Sequence, residues 1–405
     1  MNKECEINVF NPEQYVAGVP HEKFRALRES FPVSFQQEQN GPGYWAITRY
    51  EDIIAVSKNP GLFSSSKGGI NIPDATEEDL EVARLILINM DPPQHAKYRR
   101  LVATGFTPKM TARLESAIRV AATTLLDRIS GHKKVDFVAT IASALPLYLI
   151  ADLIGWPEQD RDKMFDWSDR VARIDYHPDD ARLAAFEFWG YCSELIESLD
   201  PAESADDDLL HTLLRAEIDG EGLTQLELVN FLLLLAIGGN ETTRNCISGG
   251  FLALHDHPAE LDKVRGDPQQ YLPLAVEEML RFTSPIIAFR RTATADTTLH
   301  QTPIREGDKI VLYYASGNRD ERIFDRPDDF DVGRTPNPHL SFGAGHHFCL
   351  GATLARMEIK VLFEEILRRF PEMKPASAVT RLESNYVNGI LNFDVDPGPD
   401  QEPPS

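Results

Sequence analysis

The chain has 405 residues, with 41 Lys+Arg against 63 Asp+Glu and a formal net charge of −22. That charge repels nucleic-acid phosphates and excludes a nucleic-acid binder. A content of 42% hydrophobic and 26% charged residues excludes disorder as the main state. The apolar run Phe231–Ile237 falls far short of the roughly 20 residues that span a bilayer. The opening MNKECEINVF carries no apolar signal segment. A cytoplasmic protein without membrane insertion is expected. Cys5, Cys192, Cys246 and Cys349 have no close-spaced partners, which excludes a disulfide scaffold and CxxC metal motifs.

In chain order, Gly43–Tyr50 alternates and is rich in β formers, so it reads as a strand. Glu51–Asn59 reads as a short helix ending before Pro60. Ser64–Ala75 is rich in Ser, Gly, Asn and Pro and reads as a flexible loop. From about Thr76 to Leu280 the pattern is mostly helical, with starts at Pro157 and Pro178. The helix Ala181–Leu199 is broken by Pro201, and the acidic run Glu203–Asp208 reads as a solvated connection. A long helix is predicted to begin at Thr224, with Glu227 three residues on in a capping-box pattern, and to reach about His255. Its centre is apolar all round and must be buried. After Arg281, short β-like runs extend to Tyr314, an irregular stretch follows over Asn318–Asn337, and a last helix runs from Gly351 to Arg369. Short strands are expected near Asn388–Val395, and a disordered tail over Pro397–Ser405.

Cys349 sits in Phe342-Gly-Ala-Gly-His-His-Phe-Cys-Leu-Gly351, immediately before that last helix. Glycines allow tight turns, and a helix N-terminus favours thiolate over thiol. Taken alone, such a cysteine fits a buried structural role as well. A lone thiolate is also a suitable single axial ligand for haem iron. The form Phe-x-x-Gly-x-x-x-Cys-x-Gly, followed by Ala352-Thr-Leu-Ala-Arg-Met-Glu358, resembles the cysteine-ligand signature of the cytochrome P-450 family. Glu278-Met-Leu-Arg281 resembles the family's Glu-x-x-Arg pair, and Asn318–Arg334 its meander, in which Arg334 would join that pair. The resemblance covers roughly residues 10 to 395.

Gly238-Gly-Asn-Glu-Thr-Thr-Arg-Asn245 interrupts the apolar run of the long helix. Two glycines cost roughly 1 kcal/mol each in a helix interior, which fits either a close ligand or close helix packing. A Thr hydroxyl there can bond back one turn. Beside the cysteine loop, Glu241-Thr242 resembles the family's acid–alcohol pair, which the resemblance makes the catalytic proton-delivery residues. In Asp91-Pro-Pro-Gln-His-Ala-Lys-Tyr-Arg99, His95 and Arg99 share one helical face. The resemblance makes His95, Arg99, Arg291 and His347 the partners of the haem propionates. Arg290 competes with Arg291, while His339 and His346 read as loop residues.

The resemblance thus implies a mainly α, single-domain cytochrome P-450 fold with a smaller β part over residues 1–396. It would hold haem b with Cys349 as the iron ligand. The implied reaction is insertion of one oxygen atom of dioxygen into a C–H bond. Electrons would come from a ferredoxin with its ferredoxin reductase, docking on a basic patch drawn from Lys97, Arg100, Lys109, Arg356 and Lys360. A peroxide-driven peroxygenase and a non-catalytic haem-binding protein are the alternatives, both disfavoured by an intact Glu241-Thr242. Apolar runs at Ile70 and Ile72, Leu234 and Leu235, Ile286–Phe289, Val387 and Ile390 predict a hydrophobic small-molecule substrate under a Ser64–Ala75 lid. With Ser384–Ile390, the Gly239–Asn245 stretch resembles the branch acting on sterol side chains, methyl-branched lipids and monoterpene alcohols. A terminal or allylic methyl of a terpenoid, sterol or branched lipid is the expected site of hydroxylation.

Overall fold

The long helix and the last helix organise everything else. The computed structural model describes residues 5–103, 108–171, 177–199, 209–218 and 220–402. The long helix spans Gln225–Asp256, about 48 Å at 1.5 Å per residue. Its N-terminus is the expected capping box: the Thr224 side chain accepts from the Glu227 N–H, and Glu227 reaches back to the Thr224 N–H. The helix is unbroken through Gly238 and Gly239.

Around it pack helices Ala144–Ile154, Arg161–Val171, Pro178–Ser198 and Pro268–Thr283. The last helix, Ala352–Arg369, lies against helix Pro108–Ile129 and helix Pro268–Thr283. These elements share one large apolar core containing Leu228, Leu232, Ile247, Phe251 and Leu362.

The smaller β part is a five-stranded sheet in the order Val33–Gln36, Tyr44–Ile47, Lys309–Tyr313, Ala288–Ala293 and Phe63–Ser64. Only the Tyr44–Ile47 and Lys309–Tyr313 pair is parallel. Successive side chains point to opposite faces, so Tyr44, Val311 and Tyr313 enter one cluster while Ile47, Ile310 and Leu312 enter another. Both faces are covered, which buries all five residues of the central strand.

Two stretches expected to be loose make definite contacts in this structure. Ser64–Ala75 lacks regular structure beyond its first residue, yet it is not loose. Asp91 accepts from the Ser65 N–H and the Ser66 hydroxyl, both at 2.8 Å. The Ile70 carbonyl accepts from the Arg290 N–H at 2.8 Å, and Asp74 pairs with Arg290 and Lys309, each at 2.8 Å. These bonds tie the segment to its surroundings in this structure. The segment read as a disordered tail is held as far as Glu402. Arg369 and Asp400 form an ion pair with both side chains buried, and the Gln401 N–H donates to the Arg369 carbonyl. The acidic run 203–208, Pro201 and residues 403–405 lie outside the described residues.

Candidate active site

The cysteine loop is shaped by its glycines. Gly343 and Gly345 take φ of +69° and +70°, which disfavours side-chain-bearing residues. A Cβ on Gly345 would also lie 2.6 Å from the Ser57 carbonyl. The Cys349 N–H closes the loop on the Phe342 carbonyl at 2.8 Å. Burial pushes the Cys349 thiol up, while the Gly351 N–H, Arg99 and Arg356 pull it down. The net direction is upward.

Helix Gln94–Ala103 brings His95 and Arg99 to this loop. The His95 and His347 rings are 4.3 Å apart. His346, read from sequence as a loop residue, stands with them at 4.6 Å from His347 and 5.3 Å from His95. Burial pushes His347 down to about 2, reinforced by the positive field of Arg291 and by His95, His346 and Arg99. Burial, His346 and Arg99 likewise hold His95 down at about 4, with Asp91 opposing. Two arginines and three imidazoles therefore stand at one spot with Asp91 as the nearby acid. Their N–H groups and the two positive charges suit the two carboxylates of a haem, so the donor set fits the group.

Strand alternation separates the competing arginines. Arg290 is consumed by the 67–75 segment, donating to Asp74 and to the Ile72 and Pro73 carbonyls. Arg291 points to the other face, where its field reaches His347 and His346. Ser65 was missed from sequence. Its hydroxyl lies 3.2 Å from His347 Nε2, and no local motif announces a contact across 282 residues.

On the long helix, Leu234, Leu235, Gly238 and Thr242 lie on one stripe. Gly238 is exposed and the other three are partly exposed, as are Leu233, Ile237 and Gly239. Thr242 Oγ1 donates to the Gly238 carbonyl at 2.8 Å, the back-bond expected of a Thr there. Leu234, Leu235, Cys349 and Leu350 all fringe the same core cluster. Glu241, turned to the buried side, accepts from Arg244 at 2.8 Å, and Arg244 also donates to Asp169 at 2.9 Å.

Among the expected pocket walls, Ile286 and Phe289 stay partly exposed, and Ile286 bridges to Val387. Ile72, Ile287 and Ala288 pack into a sheet cluster and Ile390 into the helical core. In the expected basic patch, Arg356 is paired with Glu277 at 2.6 Å and Lys360 with Glu364 at 2.9 Å, while Arg100 is exposed. The Lys109 side chain lies outside the described residues.

The Glu-x-x-Arg pair is fully buried. Arg281 donates to both Glu278 carboxylate oxygens at 2.8 and 2.7 Å. Arg334 and Asn337 add bonds at 3.1 Å each. Arg281 also ties down the Asn318, Pro327 and Asp329 carbonyls.

The family profile described as Cytochrome P450 matches residues 190–392. The chain is 38% identical over 397 residues to a protein of Pseudomonas putida named linalool 8-monooxygenase, covering 95% of this chain and 97% of that one. It is 36% identical over 404 residues to a steroid C26-monooxygenase of Mycobacterium tuberculosis, covering 95% and 91%. Its structure superposes with a TM-score of 0.88 on a Mycobacterium marinum cytochrome P450 solved in complex with pseudoionone, at 33% identity, covering 98% and 99%.

Proposed function

Because this chain belongs to the cytochrome P450 family, whose members here are haem monooxygenases, we propose the residues and the substrate class through which it works. Haem iron held by a thiolate supplies dioxygen activation and insertion of one oxygen atom into a C–H bond. Cys349 Sγ is the iron ligand, and the group is haem b. Arg99, Arg291, His95 and His347 hold its propionates. What carries the reading is the convergence of these four residues at the Cys349 loop.

Thr242 spends its proton on the Gly238 carbonyl, which leaves its oxygen lone pairs free to order a water. Glu241, one residue away, moves protons toward that hydroxyl. Leu234, Leu235, Ile286 and Phe289 exclude bulk water and orient the substrate. With no charged group among them, a charged substrate would lack a buried partner.

The substrate is a hydrophobic terpenoid, sterol side chain or branched lipid, hydroxylated at a terminal or allylic methyl. The relatives' names support this class. A terminal methyl has a stronger C–H bond than secondary or tertiary neighbours, so attack there needs a channel that admits only a chain end. The 67–75 segment, tied to Arg290 and Lys309 through Asp74, is suited to that restriction. Electrons come from a ferredoxin and its reductase, and the four free cysteines suit a reducing cytoplasm.

Two measurements test this. The reduced carbonyl complex should show the red-shifted Soret band of a thiolate haem, lost in Cys349→Ser; a variant that keeps the band refutes the ligand assignment. Spectral titration should give a spin-state shift with linear monoterpene alcohols, sterols or branched fatty acids. A shift only with polar macrolides or aromatic acids refutes the substrate class and leaves the enzyme class standing.

A further inference from the structure

Glu241 does not stand alone in the helix core. It is joined through Arg244 to Asp169, which belongs to a different helix. Glu241 and Arg244 are one helical turn apart on Gln225–Asp256, and their 2.8 Å pair has side chains only 8% and 10% exposed. The second guanidinium arm crosses to Asp169 on helix Arg161–Val171 at 2.9 Å, where the side chain is 32% exposed. Exposure thus rises stepwise from acid to surface.

Helix Arg161–Val171 packs on the long helix and on helix Pro178–Ser198, anchoring through Met164, Trp167 and Ser168. Asp169 is therefore placed by a packed element and not by a loose side chain. A guanidinium is a rigid planar fork. Fixing one arm on Asp169 fixes the plane of the other arm, and so the place where Glu241 must put its carboxylate.

We propose that Arg244 and Asp169 are positioning residues for proton delivery, an ion-pair chain through which helix Arg161–Val171 sets the direction of the Glu241 carboxyl relative to Thr242. This rests on the role proposed above for Glu241. Neither residue touches the reacting atoms. Their removal should leave substrate binding intact and disturb only the fate of the protons.

The isosteric Asp169→Asn keeps the fold, because the site is partly exposed and the change removes only a charge. In the holoenzyme with a surrogate ferredoxin system, product formation should fall by roughly ten- to a hundredfold, the scale for a catalytic group displaced and not removed. Peroxide release should rise while the spectral dissociation constant for substrate stays put. Asp169→Glu should recover part of the loss. Arg244→Lys should not, since a single ammonium cannot span both carboxylates in fixed geometry. Asp169→Asn combined with Arg244→Ala should be no worse than Arg244→Ala alone, the signature of residues acting as one chain. Independent of turnover, a crystal structure of Asp169→Asn should show the Glu241 carboxyl turned from its wild-type place. An unmoved Glu241, or full coupling in Asp169→Asn while Glu241→Gln uncouples, overturns this inference alone. Full coupling in Glu241→Gln overturns the underlying role of Glu241.

Discussion

Gly238 and Gly239 are adjacent in sequence and opposite in surroundings: a Cβ on Gly239 would collide with Cδ1 of Ile150, whereas one on Gly238 would meet nothing within 4 Å. The close-packing reading of the glycine pair therefore holds for Gly239, while Gly238 faces open space. Gly239 lets helix Ala144–Ile154 approach, and Gly238 leaves open the stripe that also carries Thr242.

The two alanine variants should part company. Gly239→Ala overpacks against Ile150 and should cost about 1–3 kcal/mol. Gly238→Ala should be neutral or stabilising by up to about 1 kcal/mol, the helix-propensity difference, yet its methyl enters the open stripe and should weaken substrate-induced spectral shifts. Urea unfolding and spectral titration of both proteins check this. Equal destabilisation by the two would contradict the assignment of faces.

Glu278, itself fully buried, is the hub of a network, accepting from Arg281, Arg334, Asn337 and the Asp331 N–H. Removing one member of a buried pair leaves uncompensated charge and costs about 3–5 kcal/mol. Glu278→Gln should therefore lower the urea midpoint strongly and reduce the folded yield. A midpoint close to wild type would mean that the two arginines find other acceptors.

Much of the architecture was legible because it is written locally. The Thr224–Glu227 capping box needs only its own four residues, and the Cys349 loop announces itself through glycine spacing. What was not legible depends on which distant elements meet. Arg290 and Arg291 are chemically identical until strand pairing assigns their faces. Ser64–Ala75 has a flexible composition, but its partners Asp91, Arg290 and Lys309 are all remote in sequence. The same holds for Asp169, 75 residues from Arg244. Arg356 read as a free surface charge until Glu277, on another helix, claimed it.

That Glu277–Arg356 pair carries a pH dependence. Burial raises the Glu277 carboxyl, but Arg356 and His339 overcome it and hold it at about 2 against a usual 4.5. A depressed carboxylate stabilises the folded state above its unfolded value, and that stability is lost as pH falls through the folded one. Glu277→Gln should cost about 1–2 kcal/mol at neutral pH, discounted for partial exposure. The gap to wild type should close between about pH 4.5 and 2. Urea unfolding across that range measures it, and a gap that stays constant would assign the loss to packing.

Arg291 and Arg290 should fail differently when truncated. Arg291→Ala removes a charge facing His347 and should weaken haem retention, read by haem transfer to apomyoglobin. Arg290→Ala removes the clamp on Asp74 and the Ile72 and Pro73 carbonyls, and should raise amide hydrogen exchange over 67–75. Faster haem loss from Arg290→Ala than from Arg291→Ala would reverse the assignment of the two faces.

Thr242 presents the sharpest separation of binding from chemistry. Its hydroxyl is back-bonded to Gly238, so the side chain is oriented before any substrate arrives, and its removal deletes one oxygen without opening the core. Thr242→Ala should bind substrate with an unchanged spectral dissociation constant and accept electrons at the normal rate. It should then release peroxide or water in place of product, with product formation falling by roughly 10²–10⁴, the usual worth of positioned proton transfer. Thr242→Ser keeps the hydroxyl and should recover most of the coupling. The check is the ratio of product to NADH consumed, with peroxide quantified alongside. If Thr242→Ala converts NADH to product at the wild-type ratio, protons reach the site without this hydroxyl, and the partly exposed stripe from Leu234 to Thr242 serves only to shape the pocket.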